Sequence, residues 1–307
     1  MMRRFNILVV GLAVAAALAV CVRGDNPGAD ASRAEEILNQ ARAALGGAEK
    51  LSAISSLSVA GSFRRVAEFR GPSGEVETRD QVGEVELDFL MPDKYLRTET
   101  LELMGGAGVT ILRALNGEQT WSDSRSSGGN IMIRVGPGPG TASPAAGLRA
   151  EFNRHLLVFL LTAPASSSLE FTYAGEAEAE DGRAHVLDVK GKDGFAARLF
   201  LDKQTHLPLM LSYRAARPRA QLVMAQGGRM SGSREEIERR VREQAQQNPP
   251  EMAEMEVQER FSDYRKVDGI LLPHRIEKAT DGKANEEWEI KKYKLNPIFK
   301  PQHFEKK

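Results

Sequence analysis

Cysteine is almost absent from this chain of 307 residues, which contains only Cys21. A single cysteine excludes an intramolecular disulfide framework, so a hydrophobic core must stabilise the folded body. Net charge is also absent, because Lys and Arg total 42 and Asp and Glu total 42. This balance gives no electrostatic argument for binding nucleic acid or an anionic membrane surface.

Motifs that carry chemistry are missing as well. The five histidines share no metal-binding spacing, and no His-Glu-x-x-His, Cys-x-x-Cys or Gly-x-Ser-x-Gly motif occurs. The glycine-rich stretch 104–108 lacks the Lys-Ser/Thr of a phosphate loop, so we expect a turn there. We therefore predict a binding protein with no cofactor and no metal, not an enzyme. An enzyme would need distant polar residues that converge in the fold.

A long apolar run occurs only at the start, from Ile7 to Val20, and follows a short basic segment. It is short for a membrane span, which needs roughly 20 apolar residues, so residues 1–24 are predicted to be a secretory signal; an uncleaved anchor is the alternative. Cleavage after Gly24 would discard Cys21, whereas acylation of Cys21 would tether the protein to a membrane. We expect the periplasm, or a lipid anchor facing it.

The remaining residues, 25–307, are predicted to form one mainly β domain. A short amphipathic helix is expected to begin at the capping box of Ser32 and to end at Gly46-Gly47. Apolar and polar residues then alternate in many short runs, which is typical of strands with one buried face. Asn-Gly and Asp-Gly turns separate these runs, at Asn116-Gly117, Asp181-Gly182, Asp193-Gly194, Asp268-Gly269 and Asp281-Gly282. This pattern predicts a curling antiparallel meander of about ten or eleven strands.

Two segments interrupt the β pattern. Residues 124–148 are rich in Gly, Ser and Pro, and we expect a flexible loop that leads into an apolar helix over 149–162. That helix is either a lid over a cavity or an ordinary core helix, and we favour the core helix. Residues 227–250 are predicted to be a charged, solvated helical insertion, with a partner-binding surface as the alternative.

Several stretches resemble the bacterial outer-membrane lipoprotein-sorting carriers and their longer relatives, the LolA/LolB-like superfamily. The resembling stretches occur in the same order along the chain. They are Leu45 to Lys50, Asp88 to Arg97, Leu115 to Trp121, Leu201 to Pro208 and Phe261 to Pro273.

The resemblance implies a mainly β (α+β) fold, in which one large curved antiparallel sheet forms an incomplete β-barrel with helices across its open side. It also implies an apolar concavity that accepts acyl chains. In the carriers an Arg precedes the Pro of the second strand turn and contacts the lid helix, but Met91 stands here. At this position the chain therefore departs from the dedicated carriers.

We accordingly predict an envelope protein that binds lipid, lipoprotein acyl chains or another amphiphile. The alternative is a sensor or interaction module that binds another envelope protein through the same half-barrel. Neither nucleic acid nor a particular oligomeric state is indicated. The candidate cavity or lid residues are large and apolar: Phe89, Trp121, Leu157, Phe159, Leu160, Leu199 and Trp288.

Overall fold

The computed structural model describes residues 27–70, 76–102, 108–126, 132–134, 144–162, 168–179, 182–216, 221–223 and 254–306. The predicted signal sequence, Cys21 and the charged insertion 227–250 lie outside the described residues, as does most of the predicted loop 124–148.

Three helices and fourteen strands make up the described part of the chain. The helices are α1 (Pro27–Leu45), α2 (Ala48–Ser52) and α3 (Pro144–Leu160). The first strands are β1 (Ser56–Arg70), β2 (Val76–Leu90), β3 (Lys94–Glu102), β4 (Gly108–Asn116), β5 (Gln119–Ser126) and β6 (Met132–Arg134). The later strands are β7 (Glu170–Ala179), β8 (Gly182–Lys190), β9 (Ala196–Asp202), β10 (Pro208–Ala216), β11 (Gln221–Val223), β12 (Glu254–Val267), β13 (Ile270–Thr280) and β14 (Lys283–Leu295).

Twelve of these strands form one sheet in the order β5-β4-β3-β2-β1-β14-β13-β12-β10-β9-β8-β7. All neighbours are antiparallel, and the first strand pairs with the last, which joins two meanders into one surface. Strands β5 and β7 stand at opposite edges and do not pair with each other, so the sheet is not closed. The predicted mainly β, incomplete barrel is confirmed, with twelve strands in place of ten or eleven.

The turns between strands follow the predicted chemistry. Asp268 and Asp281 have φ of 48°, and the glycines after them also have positive φ. Gly117 has φ of 63° in the turn between β4 and β5. These left-handed conformations are the ones that Asp-Gly and Asn-Gly turns supply at low steric cost. Asp193 and Gly194 also have positive φ, of 57° and 73°, in the turn Lys192–Gly194 that joins the paired strands β8 and β9.

Bulges add curvature to the sheet. The register of β1 against β14 shifts between Ala60 and Gly61. A Cβ at Gly61 would lie 2.3 Å from the carbonyl oxygen of Glu289, so only glycine permits this close approach of the two strands. A bulge bends its strand and increases the local twist. The concave face produced in this way is the one that holds the main core.

Helix α1 begins at Pro27, five residues before the predicted start. The prediction was wrong because proline is favourable at the first helical position, where its missing N–H costs nothing. The helix packs mainly against β7, with further contacts to β13. Its buried face comprises Ala34, Ile37, Leu38, Ala41 and Leu45. No helix in the described part of the chain has the length and apolar character to cross a membrane.

The convex face carries two smaller apolar clusters. Leu96, Ala114 and Phe304 form one of them, beneath the short 3₁₀ helix Pro301–Phe304 near the end of the chain. Ala177, Ala184, Val186, Phe200 and Met210 form the other on β7 to β10. The sheet therefore buries apolar side chains on both faces, but the largest cluster by far lies on the concave side.

Candidate functional site

Six of the seven predicted cavity or lid residues meet on the concave face. Phe89, Leu157, Phe159, Leu160, Leu199 and Trp288 each have no exposed side-chain surface and belong to the main core cluster. Trp121 does not join them, because it lies on the convex face beside Ala114. Its indole N–H donates a hydrogen bond of 2.8 Å to the carbonyl oxygen of Phe304. Whether the six residues bind a ligand stays a prediction.

Helix α3 lies across the concave face. Near its start, Arg149 forms an ion pair of 2.9 Å with Glu118 in the turn between β4 and β5. Further along, the guanidinium of Arg154 lies 4.0 Å from the ring centre of Tyr213 on β10. Just after its end, the carbonyl oxygen of Leu161 accepts a hydrogen bond of 3.1 Å from Arg42 of α1. The helix thus contacts sheet strands that are far apart, and α1 as well.

The last five residues of α3 and Leu161 directly after them, which together we call its apolar end, are buried on every side. The apolar end comprises six consecutive residues with at most 1 % exposure: Leu156, Leu157, Val158, Phe159, Leu160 and Leu161. The ring of Phe159 packs edge-on against Phe89 at 6.3 Å and against Tyr293 at 5.9 Å. A helix segment that is apolar all round is a core element rather than a surface one. The favoured interpretation of this helix as a core helix agrees with this burial.

The first half of α3 contacts charged side chains instead, and we call it the polar end. The Arg97 guanidinium on β3 donates hydrogen bonds to Glu99 Oε1 at 3.0 Å and to Glu151 Oε1 at 2.6 Å. Tyr95 Oη donates to the same Glu151 oxygen at 2.9 Å and lies 3.3 Å from His155 Nδ1. Arg97 therefore forms an ion pair that joins the sheet to the helix within the concavity.

A second buried ion pair lies on the other side of Trp288. Lys278 Nζ is 3.1 Å from Glu259 Oε1, and Tyr213 Oη donates to the same oxygen at 2.8 Å. The ammonium of Lys278 lies 4.4 Å from the Trp288 ring centre, and the guanidinium of Arg97 lies 5.1 Å from it. Cations held against an aromatic face are attracted to its quadrupole. Trp288 thus separates the two ion pairs while contacting both cations.

These groups keep fixed charges at neutral pH. Burial opposes ionisation of Glu99, but Arg97, Arg113 and Arg65 outweigh it and lower the pKa of Glu99 to about 2. Burial likewise opposes ionisation of Glu259, but Lys278 and other cations lower its pKa to about 2. Burial lowers the pKa of His155 to about 3, so its imidazole is neutral. Groups with such pKa values do not exchange protons near neutral pH, which favours a structural or binding role over acid–base catalysis.

The residues of this polar cluster are not among those predicted from the sequence. In β3 the residues Tyr95, Arg97, Glu99 and Leu101 have the same phase, and Tyr95 and Leu101 belong to the main core. Two opposite charges in the core phase of a strand were a signal of a buried ion pair. The partners Glu151 and His155 lie on a helix far away in sequence, so the strand pattern alone could not identify them.

The remaining histidines are not grouped. His274 is 7 % exposed, and its Nδ1 lies 3.0 Å from the carbonyl oxygen of Leu272. No three His, Cys, Asp or Glu residues in the described ranges are placed so that they could hold a metal ion. Met91 packs against the main cluster without a charge. From this part of the sheet, the cation that reaches a helix is Arg97.

No protein-family model matches this chain, and no curated protein matches it. Three solved structures are similar to it over most of both chains. A domain described as an outer membrane lipoprotein-sorting protein, from Vibrio parahaemolyticus, is 10 % identical with a TM-score of 0.45, covering 90 % of this chain and 97 % of that one. A LolA superfamily protein from Nitrosomonas europaea and a DUF1329 family protein from Desulfovibrio piger are each 11 % identical, with TM-scores of 0.42, covering 89 % of this chain and 97 % of theirs.

Proposed function

We propose that this protein binds the acyl chains of a lipid, a lipoprotein or another amphiphile on the concave face of its open sheet. We place it in the envelope of a Gram-negative-type bacterium, either free in the periplasm or tethered through Cys21. The observation that carries this proposal is the way in which the concave face is covered. The apolar end of α3 fills it, and that segment is not part of the sheet.

The covering helix supports the proposal because it is a replaceable filler. An open sheet with an apolar concave face must be covered by some apolar group, since exposed apolar surface costs free energy. The six side chains of the apolar end contribute roughly 9–18 kcal/mol, at about 1.5–3 kcal/mol for each buried side chain. A ligand with two acyl chains of about 16 carbons contributes roughly 25 kcal/mol, at about 0.8 kcal/mol for each CH₂. We therefore expect a ligand with two acyl chains to compete well with the helix.

The test compares two polar substitutions on opposite faces of neighbouring strands. Leu199 of β9 is buried on the concave face, and Met210 of β10 is buried on the convex face. We expect Leu199→Gln to lose most uptake of a fluorescent fatty acid, whereas Met210→Gln keeps it. Both variants are compared only after circular dichroism has established that they are folded.

Native mass spectrometry of the gently purified protein provides the second measurement. We expect an adduct with the mass of a diacyl lipid, one for each chain. A protein that carries no lipid, forms no adduct with added lipid and takes up no fluorescent fatty acid would contradict the proposal.

The fate of Cys21 is tested by the mass of the exported protein. Cleavage after Gly24 gives a free binder that lacks the cysteine, and we expect this form. A chain that begins at Cys21 and carries covalent acyl groups would instead show a tethered protein. The two forms imply different tasks for the same fold, because only the free one can carry a ligand between membranes.

A further inference from the structure

Two arginines lie directly opposite each other on the concave face. Arg97 of β3 pairs with Arg113 of β4 in the antiparallel register. Arg113 has the same phase as Ile111 and Leu115, which belong to the main core, so it belongs to the concave face. Like charges at opposed positions of neighbouring strands repel each other and destabilise the pair. Such a pair is favourable only where anions lie beside it.

The protein supplies fewer hydrogen bonds to Arg113 than this arginine can make. Arg113 helps to lower the pKa of the Glu151 carboxyl, and its one ion pair among the described residues is with Glu99, with 4.0 Å between Nη2 and Oε2. That distance is too long for a hydrogen bond. The short contacts of Glu99 go to Arg97, and Glu151 accepts from Arg97 and Tyr95. A guanidinium has five N–H donors, so Arg113 has donors to spare.

Arg65 lies on the other side of the same carboxylate. Its Nη1 is 3.7 Å from Glu99 Oε1, and its Nε donates to Gln81 at 2.9 Å. In the register of β1 with β14 it faces Glu286, which is hydrogen-bonded to the indole of Trp288. Arg65 therefore has a carboxylate opposite it in the sheet register, whereas the residue opposite Arg113 is the cation Arg97.

Of the three arginines, one has a buried side chain and two have side chains that are partly exposed to solvent. The side chain of Arg97 is 9 % exposed, whereas those of Arg113 and Arg65 are 26 % and 25 % exposed. A guanidinium at the border between solvent and an apolar surface suits a planar anion, because it can donate two parallel hydrogen bonds. Carboxylates and phosphates are such anions.

We propose that Arg113, with Arg65 beside it, binds the anionic head group of an amphiphile, a carboxylate or a phosphate, whose acyl chain lies on the concave face. This inference rests on the proposed function and specifies the class of ligand. The apolar neighbours Ile111 and Leu115 on the same strand face would contact the part of the chain next to the head group. The bound anion would also relieve the repulsion between Arg97 and Arg113.

The test measures a preference for charge, not overall binding. The full chain is titrated with a dansyl-labelled fatty acid and with its methyl ester, which has the same chain and no charge. A hydrogen bond to a charged group corresponds to roughly a tenfold change in affinity or more. We therefore expect the acid to bind about tenfold more tightly than the ester, and Arg113→Gln to remove this difference while ester binding stays the same.

Arg198→Gln is the matched control. Arg198 lies on the convex face and pairs with Asp188 at 2.8 Å. Arg198→Gln makes the same change of charge and size away from the proposed site, so this variant should still bind the acid more tightly than the ester. Arg113→Gln removes the repulsion with Arg97 but also a cation that helps to keep Glu99 and Glu151 ionised, so binding is compared only after circular dichroism has established that both variants are folded. If Arg113→Gln does not fold, Arg113→Lys is measured in its place; it keeps the charge but not the two parallel donors, and an unchanged acid-to-ester preference in this variant would contradict recognition by the guanidinium.

The outcomes separate this inference from the proposed function. If acid and ester bind equally, or Arg113→Gln keeps the preference, the anionic head group is wrong and acyl binding stands. If neither the acid nor the ester binds, both the proposed acyl binding and the anionic head group are wrong. Dodecyl phosphate and inorganic phosphate distinguish the source of the anion, since only the former should displace the dansyl probe. If inorganic phosphate binds with the same affinity as dodecyl phosphate, the site binds a free anion, and the proposal of an amphiphile is wrong.

Discussion

The two ends of α3 are held on the same concave face by different forces. At the polar end, Glu151 binds Arg97 through a buried ion pair of 2.6 Å. At the apolar end, six consecutive side chains are buried among other apolar groups. An ion pair depends on distance and direction, and breaking it leaves a buried charge, whereas apolar burial is non-directional. The polar end therefore fixes the position of the helix, and under the proposed function the apolar end is the part that an acyl chain replaces.

The largest effect is expected from removing the cation at the polar end. Arg97→Met leaves Glu99 and Glu151 in the concavity without their closest partner, which costs about 3–5 kcal/mol. Urea denaturation of the purified protein measures this loss as a lower unfolding midpoint. Arg275→Met is the control, because Arg275 is half exposed and pairs with Glu277 and Glu287 on the convex face. It should cost about 1 kcal/mol or less. Equal costs for the two variants would contradict a special role for the polar end.

A smaller side chain at the apolar end should destabilise the protein and favour binding of the ligand. Leu160→Ala is expected to cost about 3 kcal/mol, because it removes a fully buried side chain. Uptake of a fluorescent fatty acid should rise, since the helix then competes less well for the concave face. Leu201→Ala makes the same change in β9, within the same core cluster. Leu201→Ala should lower the stability by a similar amount without raising uptake of the fatty acid. If uptake rises in both variants, α3 is not the element that the ligand replaces.

The pH dependence of stability reports on the neutral imidazole at the polar end. The pKa of His155 falls from 6.5 to about 3 on folding, mainly through burial. Between these values only the unfolded chain is protonated at this residue, so stability falls as the pH falls. The slope for one proton is about 1.4 kcal/mol per pH unit. His155→Gln should remove this part of the slope, measured by urea denaturation across the range.

The glutamates provide the internal control for that experiment. The folded pKa values of Glu99 and Glu259 are about 2, below the ordinary value of 4.5. Their contribution is present above the ordinary value and is lost only as the pH falls from there towards about 2. Burial also lowers the pKa of His185, but this contribution is the same in the wild type and in His155→Gln. If stability changes with pH in the same way in the wild type and in His155→Gln above pH 4.5, His155 is not held neutral in the folded protein.

The smallest effect is expected on the convex face. Trp121→Phe removes the hydrogen bond to the Phe304 carbonyl and should cost about 1 kcal/mol. Acyl uptake should not change, because the indole packs on the convex cluster and not on the concave face. A loss of uptake in this variant would indicate that the ligand binds on the convex face, which would contradict acyl binding on the concave face.

The sheet could be predicted from sequence because residues close together in the chain determine the buried face of a strand and the position of a hairpin turn. Alternation in Val85, Leu87 and Phe89 identifies one buried face, and Asn116-Gly117 identifies a hairpin within a few residues. The faces of the predicted cavity residues Phe89, Leu199 and Trp288 follow from the same alternation. For Trp121 this reasoning failed, because the convex face also has an apolar cluster, and large size alone does not distinguish the two.

The polar cluster could not be predicted because it depends on long-range packing. Arg97 and Glu151 are 54 positions apart in the chain, and Glu259 and Tyr213 are 46 apart. Strand periodicity shows that Arg97 is in the core phase but not which helix covers it. Contacts of this kind depend on where α3 crosses the sheet, which its own sequence does not specify.

The two tryptophans of the chain allow the central claim to be measured directly. Trp288 is buried on the concave face and Trp121 lies on the convex face. A diacyl lipid with brominated chains quenches the fluorescence of an indole close to its chains. We predict strong quenching in Trp121→Phe, where only Trp288 remains, and a larger quenched fraction than in the wild type. Quenching that disappears in Trp121→Phe while the lipid still binds would contradict acyl binding on the concave face.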